Sequence, residues 1–228
     1  MSGEQTIKVF RPRQVAAFQP RRCRDEHTEQ AYLMMSWKVP GFQGFNDSAE
    51  SRDALALTVL SAVLDGYGGA RLDRHLTQGA DRLADGAGAY HDFSGRGPSV
   101  FVLDGVPAAG KTPQALEAAL RAQVKKIADE GVTEAELQRV KTQWVASAVY
   151  KLDSVFNQAR ELGVAWALGL PPDSNEQVIA RLRQVTAAQV QAVAKKYFGD
   201  DELTVAILRP QPMSAQAPAR RPVPGARH

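Results

Sequence analysis

The chain has 228 residues, 44% of them hydrophobic and 23% charged, the proportions of an ordinary globular protein with room for one large domain or two small ones. No apolar stretch approaches the roughly 20 residues needed to cross a bilayer, and Met1 to Gln19 holds no apolar core of the signal-peptide kind. The net charge of +3 is uneven: residues 1–24 carry +5 and residues 209–228 carry +4, leaving −6 for the body, whereas a nucleic-acid groove needs a basic face on the fold itself.

Residues 1–28 read as a basic segment containing one possible strand, Thr6 to Phe10. From Gln30 to Val39 apolar residues alternate at Ala31, Leu33, Met35, Trp37 and Val39, the period-two pattern of a strand with one buried face, and Pro40-Gly41 ends it. A helix is expected over Ser51 to Leu64, with Leu57, Leu60, Val63 and Leu64 on one face. Asp65-Gly-Tyr-Gly-Gly69 breaks it, and a short helix follows over Ala70 to Thr77. Ala87 to Phe93 and Ser99 to Leu103 read as two strands of a hairpin. Thr112 opens a helix with Leu116, Leu120, Val124 and Ile127 on one stripe, stopped by Gly131. Thr133-Glu-Ala-Glu136 is a capping box that launches what reads as one helix of thirty-odd residues. Its stripe is Leu137, Val140, Trp144, Ala148, Leu152, Val155, Ala159 and Leu162, with Glu136, Asp153 and Glu161 on the solvated face, and it would span about 50 Å. Helices at Asn175 to Arg183 and Thr186 to Phe198, then a strand at Leu203 to Leu208, complete a single α+β domain over 29–209. From Pro210 onward the Pro-, Ala- and Arg-rich tail has no periodicity and reads as disordered. This order of elements predicts a two-layer α+β sandwich, a mostly antiparallel sheet with helices packed on one face.

Gly105-Val-Pro-Ala-Ala-Gly-Lys-Thr112 matches the phosphate-loop pattern G-x-x-x-x-G-K-[ST] letter for letter. A working loop continues its cradle of backbone N–H groups into the first helical turn. Here the next residue is Pro113, which has no N–H. Thr112 as an N-cap with Pro113 in the first helical position explains the same letters. No later apolar run ends in the aspartate that a phosphate-bound Mg²⁺ requires, since Leu203 to Leu208 is followed by Arg209. Nucleotide binding is therefore the disfavoured alternative.

The remaining chemistry is sparse. The lone Cys23 excludes an internal disulfide and a cysteine-rich zinc site. Its arginine neighbours could lower its pKa, but only His27 lies near it in sequence. His27, His75, His91 and His228 form no H-E-x-x-H or H-x-x-E-H run and no i, i+4 pair. His75 reads as a surface residue and His91 as a solvated or hydrogen-bonded imidazole. No catalytic, metal-ligating or nucleotide-binding set emerges from the residues.

The stretch from about Ala31 to Pro210 resembles the C-terminal half of a pitrilysin/insulinase-type zinc metallopeptidase. The likeness is carried in order by Ala31-Tyr-Leu-Met-Met-Ser-Trp-Lys-Val-Pro40, Leu60 to Leu76 with Gly68-Gly-Ala-Arg-Leu72, Gly131-Val-Thr-Glu-Ala-Glu-Leu137, Leu152-Asp-Ser-Val-Phe156, and Val185 to Phe198. The resemblance implies an inactive domain that closes the substrate chamber and contacts peptide. Zinc, the H-x-x-E-H motif and the distal glutamate would belong to an N-terminal half, which is the implied partner besides peptide substrates. Charge distribution and hydropathy argue against a nucleic-acid or membrane partner, while the resemblance implies no cofactor in this chain, no activity of the chain alone, and a bacterial parent of periplasmic type. Family members of a purely structural kind leave a role without activity as a further alternative. Many members hold the substrate backbone with an Arg and a Tyr seven residues apart in this domain. Counted from Leu76 without gaps, those positions are Thr77 and Ala84 here, and the nearby residues of the same types, Arg82 and Tyr90, are the candidate substrate contacts.

Overall fold

In the computed structural model, which describes residues 30–95, 98–151 and 153–209, four strands form one sheet in the order β2-β3-β1-β4. They are β1 (Tyr32–Val39), β2 (Ala84–His91), β3 (Ser99–Pro107) and β4 (Leu203–Leu208), and every neighbouring pair is antiparallel. The expected strand Thr6 to Phe10, the basic segment 1–28 and the tail 210–228 lie outside the described residues.

The period-two pattern works as expected. Leu33, Met35, Trp37 and Val39 of β1 are buried with Phe101 and Leu103 of β3 and with Leu203, Val205 and Ile207 of β4. The other face carries Met34 and Lys38, both exposed, and the half-buried Ser36, Val100, Val102 and Asp104. Among the described residues, helices cover only the first face. Trp37 shows how that core closes: its indole N–H donates to the Gly199 carbonyl at 3.2 Å while its ring meets Phe198 at 5.1 Å.

Helix α1 (Ala49–Asp65) is capped by Ser48, whose side chain accepts from the Ser51 N–H. Packed against β2, α3, α5 and α6, it buries Leu55, Leu57, Val59, Leu60, Val63 and Leu64, so it is the central helix. A π-helical turn at Asp73–Thr77 replaces most of the short helix expected over Ala70 to Thr77. Helix α2 (Pro113–Glu130) buries Leu116, Leu120, Val124 and Ile127 and ends at Gly131, whose φ of 81° favours glycine. Helices α5 (Ser174–Gln184) and α6 (Ala187–Tyr197) follow expectation within a residue or two, and Thr186 and Gln189 form a complete capping box.

The single long helix is wrong. Two helices occupy its span, α3 (Glu134–Lys151) and α4 (Val155–Ala167). Ser154 starts a new helix by accepting the Asn157 N–H at 3.3 Å, so Asp153-Ser154 acts as a break and an N-cap inside an unbroken apolar repeat. The stripe divides accordingly. Leu137 and Val140 are buried, while Val155 and Leu162 are 81% and 52% exposed; Leu152 lies outside the described residues. Glu136 also departs from the solvated face assigned to it, since it is an ion-pair partner of the buried Arg71.

Both hairpin strands differ at their ends. β2 begins at Ala84 and stops at His91, and β3 runs on to Pro107. Gly105-Val-Pro107 therefore belongs to a strand that pairs with β2 along all three residues and with β1 at Gly105, and no phosphate loop forms. Gly105 is needed for close packing, because a Cβ there would sit 2.7 Å from the Gly86 carbonyl oxygen and 3.0 Å from Leu116 Cδ2. Gly110 turns the chain with φ 76°, Thr112 caps α2 by accepting the Ala115 N–H, and Pro113 occupies its first turn.

Candidate peptide-contact surface

The helix-free face of the sheet and its β2 edge make the surface on which the sequence candidates fall. Across this face Tyr90 of β2 pairs with Val102, and Gly88 with Asp104; Asp104 in turn pairs with Met34 of β1. Tyr90 is 59% exposed, and Met34, on the same face two strands away, is 39% exposed. The Tyr32 hydroxyl donates to Asp104 Oδ2 at 2.5 Å. Burial, reinforced by that carboxylate, pushes the Tyr32 phenol up to about 12. Gly88 admits the arrangement, since a Cβ there would stand 2.8 Å from Asp104 Oδ1.

Asp65, the last residue of α1, reaches this edge. Its Oδ2 accepts the Ala89 N–H at 3.3 Å. Partial burial raises the Asp65 carboxyl above the usual carboxylate range, the Ala89 N–H opposes that shift, and Asp104 and Asp73 add to it. Asp73 accepts from Thr77 Oγ1 and from the Gly69 N–H, bonds that hold its own carboxyl low.

Arg82 and Tyr90 are not brought together. Arg82 precedes β2 and pairs with Asp85 at 2.9 Å, whereas Tyr90 is near the far end; about 25 Å of extended chain separates them at roughly 3.3 Å per residue. Thr77 donates its hydroxyl to Asp73, and Ala84 is fully buried. Beyond β2, Phe93 joins Val164, Leu168, Leu170 and Val178 around a cleft of about 240 Å³. From it α4 presents Val155, Phe156, Leu162 and Trp166 to solvent, Phe156 and Trp166 being 76% and 85% exposed.

A peptidase zinc does not fit the described residues. They bring together no three His, Cys, Asp or Glu side chains in metal-binding range. His91 is buried; its Nε2 lies 3.2 Å from the Pro40 carbonyl and its Nδ1 2.9 Å from the Thr58 hydroxyl. Burial pushes the imidazole down to about 4, so it is a neutral core residue. His75 is exposed.

The family model described as the peptidase M16 inactive domain matches residues 3–144. Among solved structures the chain is similar to a protease from Helicobacter pylori, with TM-score 0.70, 22% identity, and coverage of 80% of this chain and 42% of that one. It is also similar to the inactive peptidase domain of a candidate zinc protease from Bordetella parapertussis, with TM-score 0.68, 17% identity, and coverage of 86% and 97%. The periplasmic protease PqqL from Escherichia coli is matched with TM-score 0.60, 17% identity, and coverage of 86% and 22%. The chain thus spans 42% of the Helicobacter pylori protease but nearly the whole of the Bordetella domain. No curated protein matches the sequence. Such identities establish a shared α+β fold, and the family model, which covers more than half of the chain, establishes the rest: the chain belongs to the peptidase M16 inactive domains.

Proposed function

We propose that this chain is the non-catalytic half of a zinc metalloendopeptidase, closing the substrate chamber over a zinc-bearing half and contacting the peptide. One observation carries the reading: among the described residues the sheet is covered by helices on one face and open on the other, where Tyr90 and Met34 are exposed. On this reading the zinc and its H-x-x-E-H motif belong to the other half, and Tyr90 and Arg82 touch an extended peptide at separate points. Residues 29–209 would be the folding unit between two basic ends. A periplasmic parent, like the PqqL protease, belongs to the same reading.

The apolar face of α4 supports it. Exposed side chains as large as Phe156 and Trp166 on one helix mark a surface that a partner covers, and more than half of the Helicobacter pylori protease lies beyond what this chain matches. Calorimetric titration of the chain into the zinc-bearing half tests the assignment. Saturable one-to-one binding, lost in a Phe156→Asp, Trp166→Asp variant that keeps its thermal midpoint, is expected. Equal binding by that variant removes α4 from the interface, and no binding by either chain removes the pairing.

A structural role without peptide contact is the second reading. It is favoured by Thr77 and Ala84, which stand where many relatives place the Arg and Tyr that hold substrate. One is engaged with Asp73 and the other is fully buried.

A further inference from the structure

Where the end of α2, the start of α3 and the π-helical turn meet, the surface opens into a cavity of about 380 Å³. Four full positive charges line it, on Arg71, Arg74, Lys126 and Arg139, against two negative ones on Glu130 and Glu136. This positive surplus stands on a body whose net charge is −6. Concave walls focus such a field and raise the local concentration of small counter-ions.

Pairing inside the cavity leaves cations over. Glu136 is taken by Arg71 through two short hydrogen bonds and reaches Arg74 only at 3.8 Å. Among the described residues no carboxylate comes within ion-pair distance of Lys126 or Arg139, Glu130 included. The Arg139 guanidinium lies over the Tyr67 ring, 5.5 Å from its centroid. That contact steers the head group without using any of its five N–H donors. A carboxylate is satisfied in one plane by one arginine, as Glu136 is by Arg71. Cations contributed by three separate elements suit an anion whose oxygens point in several directions, and a tetrahedral phosphate with two negative charges also matches the surplus of two.

We propose that this cavity binds a phosphate dianion, free or carried on a small organic molecule, and that Arg74, Lys126 and Arg139 hold it. Once bound, the anion bridges the π-helical turn, α2 and α3. The volume exceeds that of one phosphate and leaves room for an organic remainder. The metal in Mg-ATP already holds phosphate oxygens that these cations would take, so that complex is not a ligand. The site lies apart from the Gly105 to Thr112 segment and from Tyr90, and it does not depend on the chamber reading.

The whole chain is titrated with sodium phosphate at pH 7.5, with sodium chloride adjusted to keep ionic strength constant. The thermal midpoint should rise along a saturable curve with half-saturation on the order of 1 mM, by about 4 °C at roughly 20 mM. Phosphate also stabilises folded chains through exclusion from their surface, but that effect does not saturate and is common to all variants. Lys126→Ala and Arg139→Ala alter exposed helix positions and should each weaken binding about tenfold. Together they should abolish the saturable part. Lys125→Ala removes the same charge one residue away, from an ammonium held by Asp129, and should bind phosphate like the wild type. Should a variant fail to fold, amide resonances of the wild type replace it: phosphate should move those of Ala135 and Arg139 and leave those of Leu33 and Tyr90 in place.

Glycerol 3-phosphate separates the two sources. Affinity equal to or above that of inorganic phosphate assigns a phosphate on an organic carrier, and weaker affinity assigns the free anion. A midpoint that rises without saturating in the wild type overturns the site, as does a saturable rise that survives the double substitution. An equal loss in Lys125→Ala also overturns it, because the attraction would then belong to the surface at large.

Discussion

Arg71 and Glu136, 65 residues apart in sequence, form a two-pronged ion pair: Nε donates to Oε1 at 2.7 Å and Nη2 to Oε2 at 2.8 Å. Both side chains are largely shielded from water. Glu136 also accepts the Thr133 N–H, so the pair ties the start of α3 to the chain just before the π-helical turn. A buried pair of this kind is costly to break from one side, because the survivor keeps its charge and loses its partner. Arg71→Met is expected to lower unfolding stability by about 3–5 kcal/mol in denaturant titration. Arg71→Met with Glu136→Gln should recover part of that, since Gln still completes the capping box. A loss below about 1 kcal/mol for Arg71→Met would show that the pair is solvated.

Two shielded groups contribute to the acid limb of stability. Arg71 holds the Glu136 carboxyl down at about 2, and burial holds His91 at about 4 against an unfolded value of 6.5. For His91 the unfolded chain takes up its proton first as pH falls, so stability declines from pH 6.5 to about 4, by up to about 3 kcal/mol. For Glu136 the contribution is complete above about pH 4.5 and is lost toward pH 2. Thermal midpoints should fall steadily from pH 6.5 to 4, and a folded His91→Gln variant should be flatter in that window. A midpoint independent of both pH and the substitution would place His91 in solvent.

The division of the α3–α4 stripe is open to direct test. Leu137 is buried, and Leu137→Ala should cost about 2–5 kcal/mol. Leu162 on α4 is half-exposed, and Leu162→Ala should change stability by no more than about 0.5 kcal/mol. Equal, large losses at both positions would restore the continuous buried stripe.

Gly105 and Lys111 separate the strand account of the Gly105 to Thr112 segment from the phosphate-loop account. Gly105→Ala forces a Cβ against the Gly86 carbonyl and is expected to be destabilising by about 1–3 kcal/mol, as overpacking is. Lys111 is exposed, so Lys111→Ala should leave stability unchanged, and calorimetry with Mg-ATP should give no heat of binding. Micromolar ATP binding that Lys111→Ala abolishes would contradict the strand account.

These residues also show what could be read from the sequence. β1, β4 and the stripe of α2 were readable because their burial follows the local period, and Thr133, Gly131 and Thr186 mark helix ends by their own chemistry. The start of β2 was not, since Ala-Asp-Gly-Ala has little strand propensity and becomes a strand through pairing with β3. β3 was cut short because Gly105-Val-Pro107 also spells the opening of a loop motif. The break at Asp153-Ser154 lay hidden under an apolar repeat whose second half, with Val155 and Leu162, is largely exposed. Tyr90 could be found from sequence, but Asp65 could not: it sits 24 residues from Ala89, and only the fold brings the two together.

The central claim is that this chain completes a zinc peptidase without contributing to its metal site. Cleavage of an unfolded peptide by the separately expressed zinc-bearing half is measured alone and with this chain titrated in. The account predicts chelator-sensitive cleavage that rises with added chain and saturates at one equivalent, with no cleavage by the chain alone. A folded, zinc-loaded half that works equally fast without it would contradict the account.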